Sequence, residues 1–281
     1  QSFPDGEQEV EVQTSVRGQP VFVLQPLWAP VGERLLELLL LADACHRAGA
    51  RSVSAVIPYM GFARQDRVAK EGRPLGAKVV GDLLGTGRFS QVIALDLHSP
   101  VVASCVEAPV LHLTAVPALA DALRPLVRRD SVVVAPDLGA VKLADAYARR
   151  LGLPLAVVYK IRRSPREIAV CRIAGEVRGR RPIVVDDMIS TGATLEAAIR
   201  ALLDEECAGE IAVAATHGLL AAGGLERIAR AEVVRVLVTD SLPRAPGPAG
   251  RVEVVRLAPL LAEAVRRILG ERGLDDLLAA R

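Results

Sequence analysis

The sequence has 281 residues, 51% of them hydrophobic and 24% charged, and its formal net charge is +2. The length suits two domains better than one, and the composition is that of a chain that buries a core. Without an apolar run of roughly 18 residues no transmembrane helix is expected, and with basic residues dispersed and aromatics at 3% the chain lacks the stacking platforms of a nucleic-acid binder.

Taken in chain order, apolar spacing predicts a strand at 21–25, an amphipathic helix at 31–48 and a strand at 53–57. A helix at 78–84 and a strand at 92–96 follow. After the proline-flanked stretch 109–117, the expected domain boundary, come a helix at 117–126, a strand at 132–135 and a helix at 141–151. Further strands are expected at 156–160, 183–186, 211–215 and 234–238, with helices at 195–203 and 257–269. This alternation implies an α/β protein with a mainly parallel sheet in each half, residues 1–113 and 114–256. The Pro- and Gly-rich stretch 245–250 reads as a surface loop. Cys45, Cys105, Cys171 and Cys207 are far apart and form no metal-type pair, so reduced thiols and a cytoplasmic setting are expected. No signal segment is read at the start of the sequence.

The most informative stretch is Ile-Val-Val-Asp-Asp-Met-Ile-Ser-Thr-Gly-Ala-Thr at 183–194. A β-branched run ends in two acids, a turn of small residues follows, and a helix begins. Open α/β sheets bind ligands at the carboxyl ends of their strands. Ser190, Thr191, Gly192, Ala193 and Thr194 allow backbone N–H groups to face a phosphate monoester at a helix N-terminus. Asp186 and Asp187 would repel that phosphate, so they suit neighbouring hydroxyls or a hydrated cation. An Asp-Asp pair alone would be as well explained as a helix cap.

The pattern resembles the 5-phosphoribosyl-1-pyrophosphate loop of the type I phosphoribosyltransferase fold. A second motif narrows the resemblance. Residues 55–67 read Ala-Val-Ile-Pro-Tyr-Met-Gly-Phe-Ala-Arg-Gln-Asp-Arg: a strand, a Pro/Gly turn, then polar residues whose Arg64 and Arg67 could clamp polyphosphate oxygens. This string is similar to the ATP-binding segment of the ribose-phosphate pyrophosphokinases, also called phosphoribosyl pyrophosphate synthetases. Phe3-Pro4-Asp5-Gly6-Glu7, Asp96-Leu97-His98, Ala135-Pro136-Asp137-Leu138-Gly139 and Ala215-Thr216-His217-Gly218 match further landmarks of that family, in order, from residue 3 to about 270.

The resemblance implies two phosphoribosyltransferase-like domains, with the helix at 257–269 packing back on the first. It implies transfer of a diphosphoryl group from ATP to ribose 5-phosphate, with Mg²⁺. By it, Phe3, Asp5, Glu7, Arg64, Gln65 and Asp66 bind ATP. Asp186, Asp187, Ser190, Thr191, Gly192, Ala193 and Thr194 hold ribose 5-phosphate. His98 and Asp137 serve the metal, and Lys160 and Arg162, with His98, are catalytic, the first two on a mobile basic loop. The partners it implies are the two substrates and further copies of the chain, as a homodimer or a hexamer built from dimers, with neither nucleic acid nor membrane. Two other functions stay open: a non-catalytic subunit regulating an active relative, and a phosphoribosyltransferase using the same loop. Retention of the whole set of candidate residues argues against the first, and the 64–67 segment against the second.

Several positions depart from the family pattern. Ser190 stands for Asp, Ala193 and Ala140 for Gly, and Ile161 for Arg. An alanine is strained wherever the backbone needs positive φ. The stretch after His98 is Pro100-Val101-Val102-Ala103 in place of a Gln-rich segment containing Gly-Phe-Phe. The sequence also opens almost at the adenine-contacting hairpin, without the strand and helix that precede it in the family.

Overall fold

The computed structural model describes residues 3–161, 170–221, 223–230, 232–243 and 252–279. The chain divides into two units: Gln1–Thr114 with Leu274–Ala279, and Ala115–Gly273. The expected loop at 245–250 lies outside the described residues.

In the first unit, β1 (Pro20–Leu24) leads through α1 (Val31–Arg47) to β2 (Ser52–Ile57). Next come α2 (Gly76–Thr86), β3 (Gln91–Leu95), the single turn α3 (Val101–Ser104) and β4 (Val110–Leu113). The strands form a four-stranded sheet in sequential order, all parallel. Helix α1 forms because apolar residues recur every three or four positions. Leu35, Leu38, Ala42 and Cys45 make one buried stripe. Glu33 in the first turn and His46 and Arg47 in the last suit the helix dipole. That stripe meets Val53, Ala55 and Ile57 of β2, Val92 and Ala94 of β3, and Ala77, Val80 and Leu84 of α2 in one core.

The second unit opens with α4 (Val116–Leu123), β5 (Ser131–Ala135), α5 (Val141–Leu151), β6 (Leu155–Ile161) and β7 (Val170–Ala174). It continues with β8 (Arg181–Ile189), α6 (Ala193–Asp204), β9 (Ile211–Gly218), α7 (Gly224–Ile228), β10 (Val233–Thr239), β11 (Val252–Val255) and α8 (Ala258–Leu269). The sheet has seven strands in the order β11-β10-β9-β8-β5-β6-β7. Every pairing is parallel except β6 with β7. Val132 and Val134 of β5, Val184 of β8 and Val213 of β9 share a core with Leu195, Ile199 and Leu202 of α6.

Three strands went unforeseen. β4 occupies part of the expected boundary, so the break between units falls directly after it, at Thr114 and Ala115. β7 and β11 follow the basic stretch and the Pro/Gly-rich stretch. Helix α8 groups with the second unit, and the following segment, Leu274–Ala279, returns to the first. There Leu278 bridges Leu113 antiparallel, Thr114 N donates to Leu277 O at 3.0 Å, and Ala279 N donates to His112 O at 2.8 Å. No helix among the described residues is long and apolar enough to cross a membrane.

Leu38 is fully buried between α1 and the sheet. Leu38→Ala should lower unfolding free energy by roughly 2–5 kcal/mol. Urea denaturation followed by circular dichroism measures it, and an unchanged midpoint would remove Leu38 from the core.

Candidate active site

Strand order reverses at β5, although the strands on both sides run parallel to it. α5 carries the chain from β5 to β6 on one side, while β8 lies against the other. Such a switch point opens a crevice at the carboxyl ends of the strands. Pairing of β5 with β8 ends at Val134 and Val184, but β8 runs on beside β9 as far as Ile189 and Gly218. Asp186 and Asp187 therefore lie on the part of β8 that has no β5 partner, and Asp137 lies just past the end of β5.

Asp137 Oδ1 accepts the Gly139 and Ala140 amides at 2.9 and 3.1 Å, closing the turn into α5. Asp186 Oδ1 accepts the Asp187 amide at 2.9 Å. Although part of Asp186 reaches solvent, protein crowds its carboxyl. Burial raises its proton affinity well above the usual carboxylate range, repulsion from Asp187 adds to this, and Asp137 contributes a smaller push. A cation held near these oxygens would relieve the repulsion. Hard oxygen donors suit Mg²⁺. Among the described residues no group of three or more His, Cys, Asp and Glu side chains forms a cage for a metal. Mg²⁺, which keeps several waters and binds phosphate oxygens, needs no such cage.

The loop after β8 is tightly built. Gly192, at φ +75°, is the N-cap of α6, and no side chain caps that end. The first-turn amides are thus not taken up by a capping side chain, the arrangement that suits an anion. A Cβ on Gly192 would stand 2.6 Å from Gly224 O, and one on Gly224 only 2.4 Å from Ser190 O. Leu220 N donates to Ile189 O at 2.9 Å and anchors the same segment. Thr191 and Ala193 are exposed, while Ser190 and Thr194 are half-buried. Ala193 is the first residue of α6 and has no positive φ, so the positive φ falls on the retained Gly192. Ala140 has φ −82° and is equally unstrained. Both replacements of glycine are therefore compatible with the backbone.

In the first unit the candidate residues gather at the ends of β2 and β3 and in the N-terminal turn. Pro58, Tyr59 and Met60 stay buried after β2, and Leu27 N donates to Tyr59 O at 2.8 Å. Gly61 cannot bear a side chain, because a Cβ would stand 2.6 Å from Leu27 O. Phe62 turns the chain outward at φ +62°. Arg64, Gln65 and Arg67 are exposed, and Asp66 is half-buried. Gln65 is tied by its backbone, donating to Phe62 O and accepting the Ala77 amide of α2. Arg64, Asp66 and Arg67 make no ion pair with any described residue, so no internal Arg–Asp pair forms. At the end of β3, Asp96 is buried at φ +36°, Leu97 is buried, and His98 is exposed. A non-glycine residue with positive φ therefore sits in the segment that follows each strand, and such strain concentrates at functional sites. Phe3, Asp5 and Glu7 form a tight exposed turn, in which Phe3 N donates to Glu7 O at 2.8 Å and Glu7 N to Asp5 Oδ1 at 3.1 Å.

The backbone of Lys160 lies in β6, opposite Cys171 of β7. Its side chain, and Arg162 with the rest of the expected mobile loop, fall outside the described residues.

Comparison with known proteins gives the lineage. Residues 1–87 match the N-terminal domain of ribose phosphate pyrophosphokinase, and residues 118–241 match the phosphoribosyl transferase domain. Ribose-phosphate pyrophosphokinase of Aquifex aeolicus is 40% identical over 268 residues, covering 95% of this chain and 86% of that protein. The chain belongs to the ribose-phosphate pyrophosphokinase family. A second family member, from Bacillus caldolyticus, is 41% identical over 268 residues, covering 95% of this chain and 84% of its own. The crystal structure of phosphoribosylpyrophosphate synthetase from Mycobacterium smegmatis matches with a TM-score of 0.87 at 34% identity, covering 96% of this chain and 89% of that one. Two contacts among the candidate residues, one in each unit, escaped sequence reasoning. In the second unit Gly224 supports the loop before α6 from a distant segment, and in the first His112, on β4, accepts the Leu97 amide. The Gly-Gly at 223–224 was a visible signal for a close approach; nothing around His112 pointed to Leu97.

Two predictions follow from the second unit. Asp186 binds its proton more tightly folded than unfolded. Its favourable contribution is thus complete below the unfolded pKa of about 3.9 and is lost as pH rises through the higher folded value. Asp186→Asn should therefore raise Tm near neutral pH in EDTA, and the gain should shrink toward zero as pH falls to about 4. A Tm difference constant across that range would contradict the assignment. Gly192→Ala places a Cβ both at positive φ and against Gly224 O, and should weaken inorganic phosphate binding by roughly tenfold or more. Calorimetry on a variant with unchanged circular dichroism measures this, and wild-type affinity would show that the loop does not hold the anion.

Proposed function

We infer that this protein transfers the β,γ-diphosphoryl group of ATP to the 1-hydroxyl of ribose 5-phosphate, giving 5-phosphoribosyl 1-pyrophosphate and AMP. The observation that carries the reading is the uncapped, glycine-shaped N-terminus of α6 beside Asp186 and Asp187, at a switch point, in a chain of the pyrophosphokinase family. The sugar oxygen attacks the β-phosphorus, and the bond from that phosphorus to the oxygen bridging it to the α-phosphate breaks. AMP leaves with the bonding pair, and the hydroxyl proton passes to solvent. No covalent enzyme intermediate is needed; alignment and charge neutralisation carry the step.

In this reading Ser190, Thr191, Gly192, Ala193 and Thr194 hold the 5-phosphate, and Asp186 and Asp187 face the ring hydroxyls. Phe3, Asp5 and Glu7 contact adenine, and Arg64, Gln65 and Asp66 the rest of the nucleotide. The unpaired Arg64 is available for phosphate oxygens without first breaking an ion pair. His98 and Asp137 are the residues that would hold Mg²⁺, with waters and phosphates completing its shell. When bound, the ion neutralises phosphate charge. Lys160 and Arg162 stabilise the charge on the transferring group. The free thiols of Cys45, Cys105, Cys171 and Cys207 suit a reducing cytoplasm.

An assay of AMP formation from ATP, ribose 5-phosphate and Mg²⁺ tests the activity, and no AMP above the ATP-only control would sink it. Lys160→Ala should lower kcat and kcat/KM together, by about 100-fold or more, with little change in KM for ATP. A raised KM at normal kcat would reassign Lys160 to substrate binding.

The reading extends to a homodimer, or a hexamer of dimers, in which the Phe3–Glu7 turn of one chain meets the nucleotide bound by its partner. An exposed Phe at such a turn suits an aromatic base. Mixing Phe3→Ala/Glu7→Ala chains with Arg64→Ala/Lys160→Ala chains should restore part of the activity, because hybrid dimers regain one intact site. Verified subunit exchange without recovery would rule the shared site out.

A further inference from the structure

β3 and β4 pair in parallel from Val92 and Val110 to Leu95 and Leu113. Just beyond that register Asp96 N donates to Leu113 O at 3.0 Å. Asp96 then turns the chain at φ +36°, which takes the next amide out of the ladder. That amide belongs to Leu97, a buried residue, and a buried N–H without an acceptor is costly. The His112 ring supplies the acceptor: Leu97 N donates to His112 Nε2 at 2.8 Å. An Nε2 that accepts carries no proton, so the neutral ring bears its proton on Nδ1.

The residue after Leu97 is His98. On its other side the chain is pinned again, because Ser99 Oγ accepts the Val101 amide at 3.2 Å and Ser99 O accepts the Val102 amide at 3.1 Å. His112 is itself held from outside the sheet. Its carbonyl accepts the Ala279 amide at 2.8 Å, and its neighbours Leu113 and Thr114 join Leu278 and Leu277.

We propose that His112 is a positioning residue for His98, fixing the turn that presents it by accepting the Leu97 amide. The role rests on the assignment of His98 to the metal-bound nucleotide. His112 touches no substrate and acts only through the backbone, as the outer partners of metal ligands do. What matters is an acceptor at the reach of Nε2, which the Gln side-chain oxygen can supply and Leu cannot.

The test is the affinity for Mn²⁺–ATP, measured by calorimetry on the full chain, with Leu97 amide exchange and Tm followed in parallel. His112→Leu should speed Leu97 exchange and weaken Mn²⁺–ATP binding roughly 10- to 100-fold, toward the value for His98→Ala. His112→Gln should keep both near wild type. Affinity for ribose 5-phosphate should not change. Should His112→Leu fail to fold, His112→Asn, whose oxygen is too short to reach, takes its place against His112→Gln. Wild-type nucleotide affinity in the variant lacking the acceptor, with only a lower Tm, would make His112 merely structural and overturn the proposal. Equal loss in the Leu and Gln variants would overturn it as well. Normal binding by His98→Ala would instead remove the assignment of His98, and the positioning role with it.

Discussion

Pairing between β5 and β8 stops at Val134 and Val184, five residues before β8 itself ends at Ile189. The geometry of the second unit's site follows from that mismatch. The overhang of β8 puts two acids beside the end of β5, where Asp137 already stands. Their mutual repulsion is held in place by the hydrophobic core beneath, in which Val132, Val134 and Val184 are fully buried. Burial of such side chains contributes roughly 1.5–3 kcal/mol each, enough to offset an unfavourable charge arrangement at the rim. The site is locally destabilised, and the core supports it.

The first unit solves a different problem. Apart from the Phe3–Glu7 turn, its candidate nucleotide-facing residues lie on short segments after β2 and β3, which cannot be held by strand pairing. Their backbone is fixed one contact at a time: Tyr59 O by Leu27, Gln65 by Phe62 and Ala77, Asp96 by Leu113, and Leu97 by His112. Phe62 and Asp96 sit at positive φ, a cost of order 1–3 kcal/mol each that persists only because these contacts over-determine the backbone. Arg64 and Arg67 stay solvated, with no ion pair among the described residues.

Much of this was legible in the sequence. The β-branched run before Asp186 and Asp187, and the small residues before α6, carried enough signal to place strand, turn and helix. The apolar stripe of α1 was equally plain. The strands that escaped were Val110–Leu113, Val170–Ala174 and Val252–Val255, which begin next to a proline, a basic stretch and a Pro/Gly-rich stretch whose breaker signals masked them. Pro109 and Pro117 made the first resemble a boundary. An amphipathic pattern such as that of α8 reveals which face is apolar but not what covers it. Nor does sequence report φ. That Ala193 and Ala140 stand in helical backbone became evident only from where α6 and α5 begin. The bond from Leu97 to His112 joins residues on neighbouring strands through one ring nitrogen, and such a contact leaves no periodic trace.

The close approach of Gly192 and Gly224 also bears on the conformational entropy of the loop before α6. A loop of small residues is ordinarily a floppy segment, and ordering it costs about 1–2 kcal/mol per residue. Here two segments distant in sequence meet backbone to backbone with no room for a Cβ on either. The loop is therefore ordered when the chain folds, and any ligand met at the start of α6 does not bear that cost again.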